Sequence, residues 1–313
     1  MIQTIATIII PVFIIIALGY LSTLFKFLKI SEIQILTKFA QNIALPCLLF
    51  VNIYQLDLAS VFSLNLLLTF YISASISFII GILGGYYFFL KSLTNSIPIG
   101  FCCLFSNSLL LGLPITELAF GEEALKANFI IVAFHAPFCY LLGISAMEIS
   151  INGNQNLLIS YKKILKSILS NALTVGIILG FLFNVSHLPM PYFLIDALNL
   201  LSTAGIPIAL FALGGVLTQY KEKVINSLPY SIMIAVISLF IQPLLTIYFG
   251  RNIFIITEEE LRSVIITAAM APGVNAFIFS NMYQRSIEIA ASSIILCTAI
   301  SIFSSAAWIT FIN

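Results

Sequence analysis

Ten long apolar segments take up almost the whole of this 313-residue chain. A helix needs about 20 predominantly apolar residues to cross the hydrocarbon layer of a membrane. Charged residues make up 8% of the chain and its mean hydropathy is +1.13, whereas a soluble domain carries about 25% charged residues. The chain is therefore predicted to be an all-α polytopic membrane protein with ten transmembrane helices, at 2–25, 33–54, 61–90, 97–119, 126–148, 170–187, 191–218, 227–250, 262–283 and 286–312.

The longest polar connector, at 150–169, divides these segments into two groups of five. Because five is an odd number, the second group begins on the opposite face of the membrane from the first. Any internal similarity should then take the form of an inverted repeat. We expect a first five-helix repeat at 1–149, a connector at 150–169 and a second, inverted five-helix repeat at 170–313.

Basic residues fall mainly in alternate connectors, and this predicts the orientation of the chain. Cytoplasmic connectors are enriched in Lys and Arg. With the N-terminus outside, the outer connectors receive only Lys126, Arg251 and Arg262, and the cytoplasmic connectors receive Lys26, Lys29, Lys91, Lys162, Lys163, Lys166, Lys221, Lys223 and Arg285. We expect an integral protein of a bacterial inner (plasma) membrane, with both termini outside and the 150–169 connector in the cytoplasm. The first apolar run has no basic region before it, so it is expected to be a retained helix and not a cleaved signal.

The fourth predicted helix contains an unusual polar stretch near its middle. Ser106, Asn107 and Ser108 are followed by the helix breakers Gly112 and Pro114. Proline cannot donate to the helical hydrogen-bond ladder, and glycine lets the backbone bend. Irregular backbone at membrane depth is tolerated only where it is buried in protein or lines a wet cavity.

The ninth predicted helix contains a similar stretch, at 271–277. Pro272 and Gly273 are followed there by Asn275. A single Pro or Gly in a membrane helix usually means only a packing kink. Two interrupted helices at matching positions of two halves, each with an asparagine beside the break, indicate instead the binding site of a transporter.

A second pair of segments supports the internal repeat. The second predicted helix reads Ala-Leu-Pro-Cys-Leu-Leu-Phe at 44–50, and the seventh reads Gly-Ile-Pro-Ile-Ala-Leu-Phe at 205–211. Pro46 and Pro207 therefore occupy equivalent positions, and we predict hinge roles for both.

These motifs, in this order, resemble the auxin efflux carrier family, which includes the plant PIN exporters and bacterial malate and malonate permeases. The similar stretches are 107–121, with its Asn-Ser-x-x-x-Gly-x-Pro run and Ala-Phe-Gly exit, and 271–279 in the ninth segment. The stretches at 11–20, 44–50 and 207–214, in the first, second and seventh predicted helices, are also similar to that family. The resemblance therefore covers essentially the whole chain. Two features depart from the family: Asn171-Ala172 stands where Asn-Pro is common, and Pro272 is offset by one residue from the PIN position.

The resemblance implies two inverted five-helix repeats whose broken fourth and ninth helices cross near the membrane centre, beside the substrate. It further implies a mobile bundle that moves against a scaffold made largely of the first, second, sixth and seventh helices. Organic anions are the implied substrates, and a homodimer is the implied assembly. Mono- or dicarboxylates carried by alternating access are therefore expected, with the lipid bilayer as surroundings.

A carboxylate crossing this protein must be bound by neutral groups, because no Lys or Arg lies mid-span in any predicted helix. Broken helices offer unpaired backbone N–H groups and partial positive charge at their new starts. Asn107 and Asn275 add amide donors, and we predict that both contact the anion. The other predicted substrate-binding residues are Ser106, Ser108 and Gly273; Gly112, Pro114 and Pro272 are predicted to shape the crossing.

Two ionisable residues are candidates for proton coupling. His135 lies well inside the fifth predicted helix, and an intramembrane ionisable residue is a functional hypothesis by default; the alternative is a neutral histidine hydrogen-bonded to a neighbouring helix. Glu117 follows Pro114 closely, but it lies towards the outer end of its helix and can reach water. No cofactor is expected beyond a coupling H⁺ or Na⁺.

Other functions are disfavoured by what the sequence lacks. Intramembrane enzymes need paired catalytic groups, and Gly-x-Ser-x-Gly, His-Glu-x-x-His and mid-membrane aspartate pairs are all missing. Five cysteines in apolar runs and two histidines do not form a metal motif. A net charge of +1 gives no field to attract nucleic acid. Two alternatives stay open: a carrier similar to sodium-coupled bile-acid symporters, and a non-transporting membrane sensor or scaffold.

Overall fold

The computed structural model describes residues 2–57, 62–152, 171–219 and 227–312. Within these ranges the secondary structure is helical, and each of the ten predicted segments contains helix. The helices are α1 Ile2–Leu24, α2 Ile30–Gln55, α3 Leu64–Phe88, α4 Leu93–Leu104, α5 Ser108–Phe120, α6 Leu125–Asn152, α7 Ala172–Val185, α8 Tyr192–Leu217, α9 Leu228–Ile253, α10 Glu258–Ala268, α11 Val274–Tyr283 and α12 Ile287–Ile312. Most of the predicted 150–169 connector lies outside the described residues.

Seven of these helices are each long and apolar enough to cross a membrane in one piece. They are α1, α2, α3, α6, α8, α9 and α12. The predicted fourth and ninth segments are instead each built from two shorter helices, α4 with α5 and α10 with α11, and α7 is also short. The all-helical membrane class is thus confirmed, whereas the inverted repeat of ten spans stays a prediction.

The helices form two compact units. The first, here called the crossing unit, contains α3–α6 and α9–α12 together with the start of α1. The second, the four-helix unit, contains α1 from Pro11 onward with α2, α7 and α8. Each unit combines helices from both sequence halves, and the four-helix unit holds the helices that the family resemblance assigns to the scaffold.

Close backbone contact holds the four-helix unit together. A Cβ added to Gly214 in α8 would lie 1.9 Å from the carbonyl oxygen of Ile16 in α1, and one added to Gly176 in α7 would lie 2.5 Å from that of Pro46 in α2. Small residues allow such approach between membrane helices. The Asn184 amide of α7 donates to the carbonyls at the end of α2, those of Ile53, Tyr54 and Leu56.

The crossing unit has a core of large apolar side chains, including the fully buried Phe70, Phe101 and Phe279. Phe101 of α4 and Phe279 of α11 stack with ring centroids 4.0 Å apart. The buried hydroxyls of Ser73 and Ser77 on α3 form hydrogen bonds within their own helix, because each donates to the carbonyl four residues earlier. This core positions the ends of four short helices beside one another.

Candidate functional site

The two interrupted segments pair with each other through their backbones. The N–H of Asn107 donates to the carbonyl of Ala271 at 2.8 Å, and the N–H of Gly273 donates to the carbonyl of Phe105 at 2.9 Å. Ser106 and Pro272 face each other between these bonds as an antiparallel bridge. Because the bonds are made by the flanking residues, the missing N–H of Pro272 costs nothing here.

Two helices begin at this crossing. α5 starts at Ser108 and α11 starts at Val274, each directly after the paired strand-like residues. The first N–H groups of a helix have no intrahelical partner, and they carry about half a positive charge in total. Two such ends at one place provide the positive charge that Lys and Arg side chains do not provide in the middle of the predicted helices.

Gly273 lies at the start of α11, against an aromatic ring. A Cβ at this position would lie 3.2 Å from a ring carbon of Phe105. The backbone there is extended, with φ −75° and ψ 162°, so the position favours glycine because of space and not because of dihedral angles.

The interruption of the fourth segment lies earlier than the sequence indicates. The helix breaks between Leu104 and Ser108, whereas Gly112 and Pro114 lie within α5. Residues Ser108–Gly112 form a π-helical turn, in which the N–H of Leu113 donates to Ser108. Pro114 follows in the first α-helical turn, where its missing N–H is tolerated. A hinge role for Gly112 and Pro114 stays a prediction.

The two predicted anion-binding asparagines are both at the crossing. Asn107 is buried, directly before the start of α5. Asn275, in the first turn of α11, accepts a hydrogen bond at Oδ1 from the Tyr140 hydroxyl at 3.1 Å. That bond uses the acceptor of the carboxamide, so the Nδ2 donors of Asn275 stay available to a ligand.

Ser106 and Ser108 are also buried at the crossing. The Ser106 hydroxyl has no hydrogen-bond partner among the described residues. Its carbonyl is satisfied by His135, whose Nε2 lies 3.1 Å away. Within the described chain, the Ser106 hydroxyl is therefore an unpaired polar group at the crossing.

His135 is enclosed by aromatic rings and touches the break directly. Its ring centroid lies 4.6 Å from that of Phe105 and 5.5 Å from that of Phe70. The Nε2 contact with the Ser106 carbonyl requires a proton on that nitrogen, and the Cys139 sulfur lies 3.7 Å from Nδ1. This is the geometry expected of the second hypothesis, a neutral histidine bonded to a neighbouring helix; proton coupling stays a prediction.

The remaining predicted site residues lie elsewhere. Glu117 is exposed near the end of α5 away from the crossing. Pro46 follows a π-helical turn in α2, and Pro207 lies within α8. Both prolines belong to the four-helix unit, whereas the paired break belongs to the crossing unit.

Two features of the site were not predicted from the sequence. Tyr140 is one: it lies on α6 after His135, and only the fold shows that it reaches Asn275. The other is Asn128 of α6, whose Nδ2 donates to Thr116 of α5 at 3.1 Å and to Thr267 of α10 at 2.9 Å. An asparagine in an apolar helix was the available signal for this second contact, which joins the two half-helices α5 and α10.

The described residues contain no group of three His, Cys, Asp or Glu side chains that could hold a metal ion. The five cysteines are free thiols, and all but Cys47 are buried. The crossing is therefore a site of neutral donors: helix starts, carboxamides and hydroxyls.

Comparison with known proteins gives two matches. A family profile described as membrane transport protein matches residues 4–309. An uncharacterized transporter of Methanocaldococcus jannaschii is 25% identical over 312 residues, and the alignment covers 95% of each chain.

Proposed function

Because this chain belongs to the membrane transport protein family, which is the auxin efflux carrier-like family that its motifs resemble, we propose that it is a secondary transporter of small organic anions. Membership makes it a membrane transporter and leaves the sensor or scaffold alternative without support. The proposed substrates are mono- or dicarboxylates, and the proposed mechanism is alternating access with the crossing unit as the moving part.

The observation that carries this proposal is the convergence of two helix starts at the paired break. Each start contributes about +0.5 of an elementary charge, so α5 and α11 together offset about one negative charge. The Nδ2 donors of Asn107 and Asn275 add directed hydrogen bonds. A monoanionic carboxylate therefore matches this site in both charge and donor geometry.

Binding without a fixed Lys or Arg also suits transport. A full ion pair in a low-dielectric site holds its ligand strongly, which slows release on the far side. Helix dipoles and amides bind more weakly. A dianion leaves about one charge uncompensated here, so we propose that it enters with H⁺ or Na⁺, or in its singly protonated form.

Asn107→Ala and Asn275→Ala test the site. Each substitution removes a hydrogen bond to a charged group, worth about 1.5–3 kcal/mol, so substrate counterflow in proteoliposomes should fall by roughly ten- to a hundredfold. Asn252→Ala is the matched control, because this exposed asparagine of the crossing unit only donates to the Tyr248 carbonyl. Full counterflow in both site variants would show that the asparagines do not bind the anion.

The substrate class needs a second experiment. Purified protein in proteoliposomes is assayed against labelled monocarboxylates, dicarboxylates and neutral or cationic solutes of equal size. Carboxylates alone should exchange. Flux that requires Na⁺ would favour the bile-acid-symporter-like alternative, and exchange of only cationic solutes would overturn the proposed class.

A further inference from the structure

Asn128 of α6 contacts one half-helix from each of the two broken segments. Its Nδ2 donates to the Thr116 hydroxyl of α5 at 3.1 Å and to the Thr267 hydroxyl of α10 at 2.9 Å. All three side chains are fully buried. The NH₂ of a carboxamide has two donors, so this single group makes both bonds and links the two half-helices. We call these three residues the Asn128 bridge.

The orientation of the Asn128 carboxamide follows from the neighbouring bonds. The Thr267 hydroxyl donates to the Ser263 carbonyl at 2.8 Å, and because a hydroxyl has one proton, it can only accept from Asn128. The Ser263 hydroxyl in turn donates at 2.8 Å to the carbonyl of Ala124, directly before α6. Two contacts one helical turn apart therefore fix α10 against α6, and Asn128 attaches Thr116 of α5 to that fixed pair.

The half-helices α5 and α10 also meet where α5 ends and α10 begins, but more weakly. There the Arg262 guanidinium lies 5.9 Å from the centroid of the Phe120 ring, with Arg262 exposed and Phe120 half-buried. A cation–π contact at an exposed site is weak, whereas a hydrogen bond in the low-dielectric interior is electrostatically stronger than one in water. The Asn128 bridge is thus the stronger of these two links.

The position of the bridge along α5 determines what it can do. At the crossing, the N–H of Asn107 donates to the carbonyl of Ala271, and contact at one place leaves the angle between two helices less restricted. Thr116 lies away from that place, beyond Pro114 along α5. A second attachment there restricts the angle between α5 and α10. The direction of the N–H groups at the start of α5 changes with this angle.

We propose that Asn128 is a positioning residue for the anion site: it holds α5 and α10 at the angle at which the helix starts and the two asparagines converge. It acts through the two half-helices and not by contact with the anion, and the inference rests on the proposed function. Without the bridge, the half-helices sample angles at which the site is not assembled. Apparent affinity then falls in proportion to the assembled fraction, whereas saturating substrate selects the assembled state and restores the maximal rate.

Substrate counterflow with Asn128→Leu tests this role. Leucine keeps the branching of asparagine and removes both donors, so KM should rise several-fold while the maximal rate per folded protein stays nearly unchanged. Ser77→Ala is the matched control, because it removes a buried hydroxyl of the same unit that donates within its own helix; it should change neither quantity. A lower maximal rate with an unchanged KM is what a partly misfolded protein gives, and it would overturn the proposal.

Combining substitutions shows whether the three residues act as one bridge. Thr116→Val removes the α5 end of the bridge and should raise KM about as much as Asn128→Leu. Because either change alone breaks the link between α5 and α10, the double variant should raise KM no further than the single variants. Effects on KM that multiply in the double variant would mean separate roles for the two residues and would contradict a bridge.

A distance measurement tests the angle without using transport. Spin labels are placed on cysteines at Leu118 of α5 and Glu259 of α10, which are both exposed, after Cys47, which is not fully buried, is replaced by alanine. Double electron–electron resonance should give a narrow distance distribution that broadens in Asn128→Leu and not in Ser77→Ala. An unchanged distribution in Asn128→Leu would overturn the proposal. If the unsubstituted protein exchanges no carboxylate, the proposed function itself is wrong, and the distance measurement still decides whether Asn128 sets the angle.

Discussion

The hydrogen bond from Tyr140 to Asn275 decides which atoms of that carboxamide face a ligand. With Oδ1 accepting from the phenol at 3.1 Å, the amide is held with its Nδ2 donors free. An anion is attracted by those donors and repelled by the carbonyl oxygen. In the proposed anion site, Tyr140 would thus set the charge preference of the Asn275 carboxamide.

Tyr140→Phe should therefore weaken anion binding without removing either asparagine. Loss of one neutral hydrogen bond is worth about 1 kcal/mol, so KM for counterflow should rise roughly fivefold. Tyr283→Phe is the matched control, because the Tyr283 hydroxyl donates to Glu148 and not to the site. An unchanged KM in Tyr140→Phe would show that Asn275 is oriented by other contacts.

His135 should act as a fixed donor to the crossing. His135→Ala leaves the Ser106 carbonyl buried and unpaired, at a cost of about 1–3 kcal/mol, and should lower the thermal unfolding midpoint. His135→Gln keeps an N–H donor and should largely preserve both stability and counterflow. If His135 instead carries protons, the Gln variant would stay folded but lose its response to a proton gradient, which a pH-jump uptake assay detects.

At the scale of single residues, the sequence indicated the polar atoms but not their partners. The place of Asn107 and Asn275 at the crossing could be predicted, because an amide beside a helix breaker is unusual in an apolar segment. Tyr140 and Asn128 could not, because a tyrosine or asparagine on an apolar helix has many orientations, and only the packing of α6 against α5, α10 and α11 selects one.

At the scale of helices, the sequence predicted where each segment lies but not where the fourth segment is interrupted. Apolar length predicted every helical segment to within a few residues, because spanning length is a direct physical requirement. The break in the fourth segment lies at 105–107, ahead of the glycine and proline that indicated it. A proline is tolerated in the first turn of an α-helix. Pro114 therefore marks where α5 changes from its π-helical turn to regular α-helix, and not where the chain is interrupted.

The two glycines near the breaks should consequently respond differently to alanine. A Cβ on Gly112 would meet Met270 at 3.6 Å, an ordinary contact, whereas one on Gly273 would meet Phe105 at 3.2 Å. Gly112→Ala should be neutral or stabilising by up to about 1 kcal/mol, since alanine favours helix. Gly273→Ala should lower the thermal midpoint and reduce counterflow, because the Phe105 ring must shift. Equal effects of the two substitutions would contradict this distinction.

For the whole molecule, membrane class and family could be predicted from the sequence, whereas the grouping of helices could not be worked out from the residues alone. The compact units cut across the two sequence halves. Contacts such as Gly176 against Pro46 join helices far apart in the chain, and small residues alone do not identify their partners. Only the family resemblance pointed to the first, second, sixth and seventh helices as one group.

The charge balance of the whole molecule leads to a pH prediction. Its helix starts offset about one negative charge at the crossing, and within α4, α5 and α11 there is no Lys or Arg to offset a second. A dicarboxylate should therefore be carried best as its monoanion. At fixed total concentration, dicarboxylate uptake should fall as pH rises through the second dissociation of the substrate, because the singly charged form disappears. Uptake of a monocarboxylate, fully ionised throughout the same range, should stay nearly level.

Counterflow without any ion gradient separates this substrate effect from a proton driving force. In Na⁺-free buffer, dicarboxylate uptake that rises with pH would contradict this prediction and would mean that the site accepts two charges.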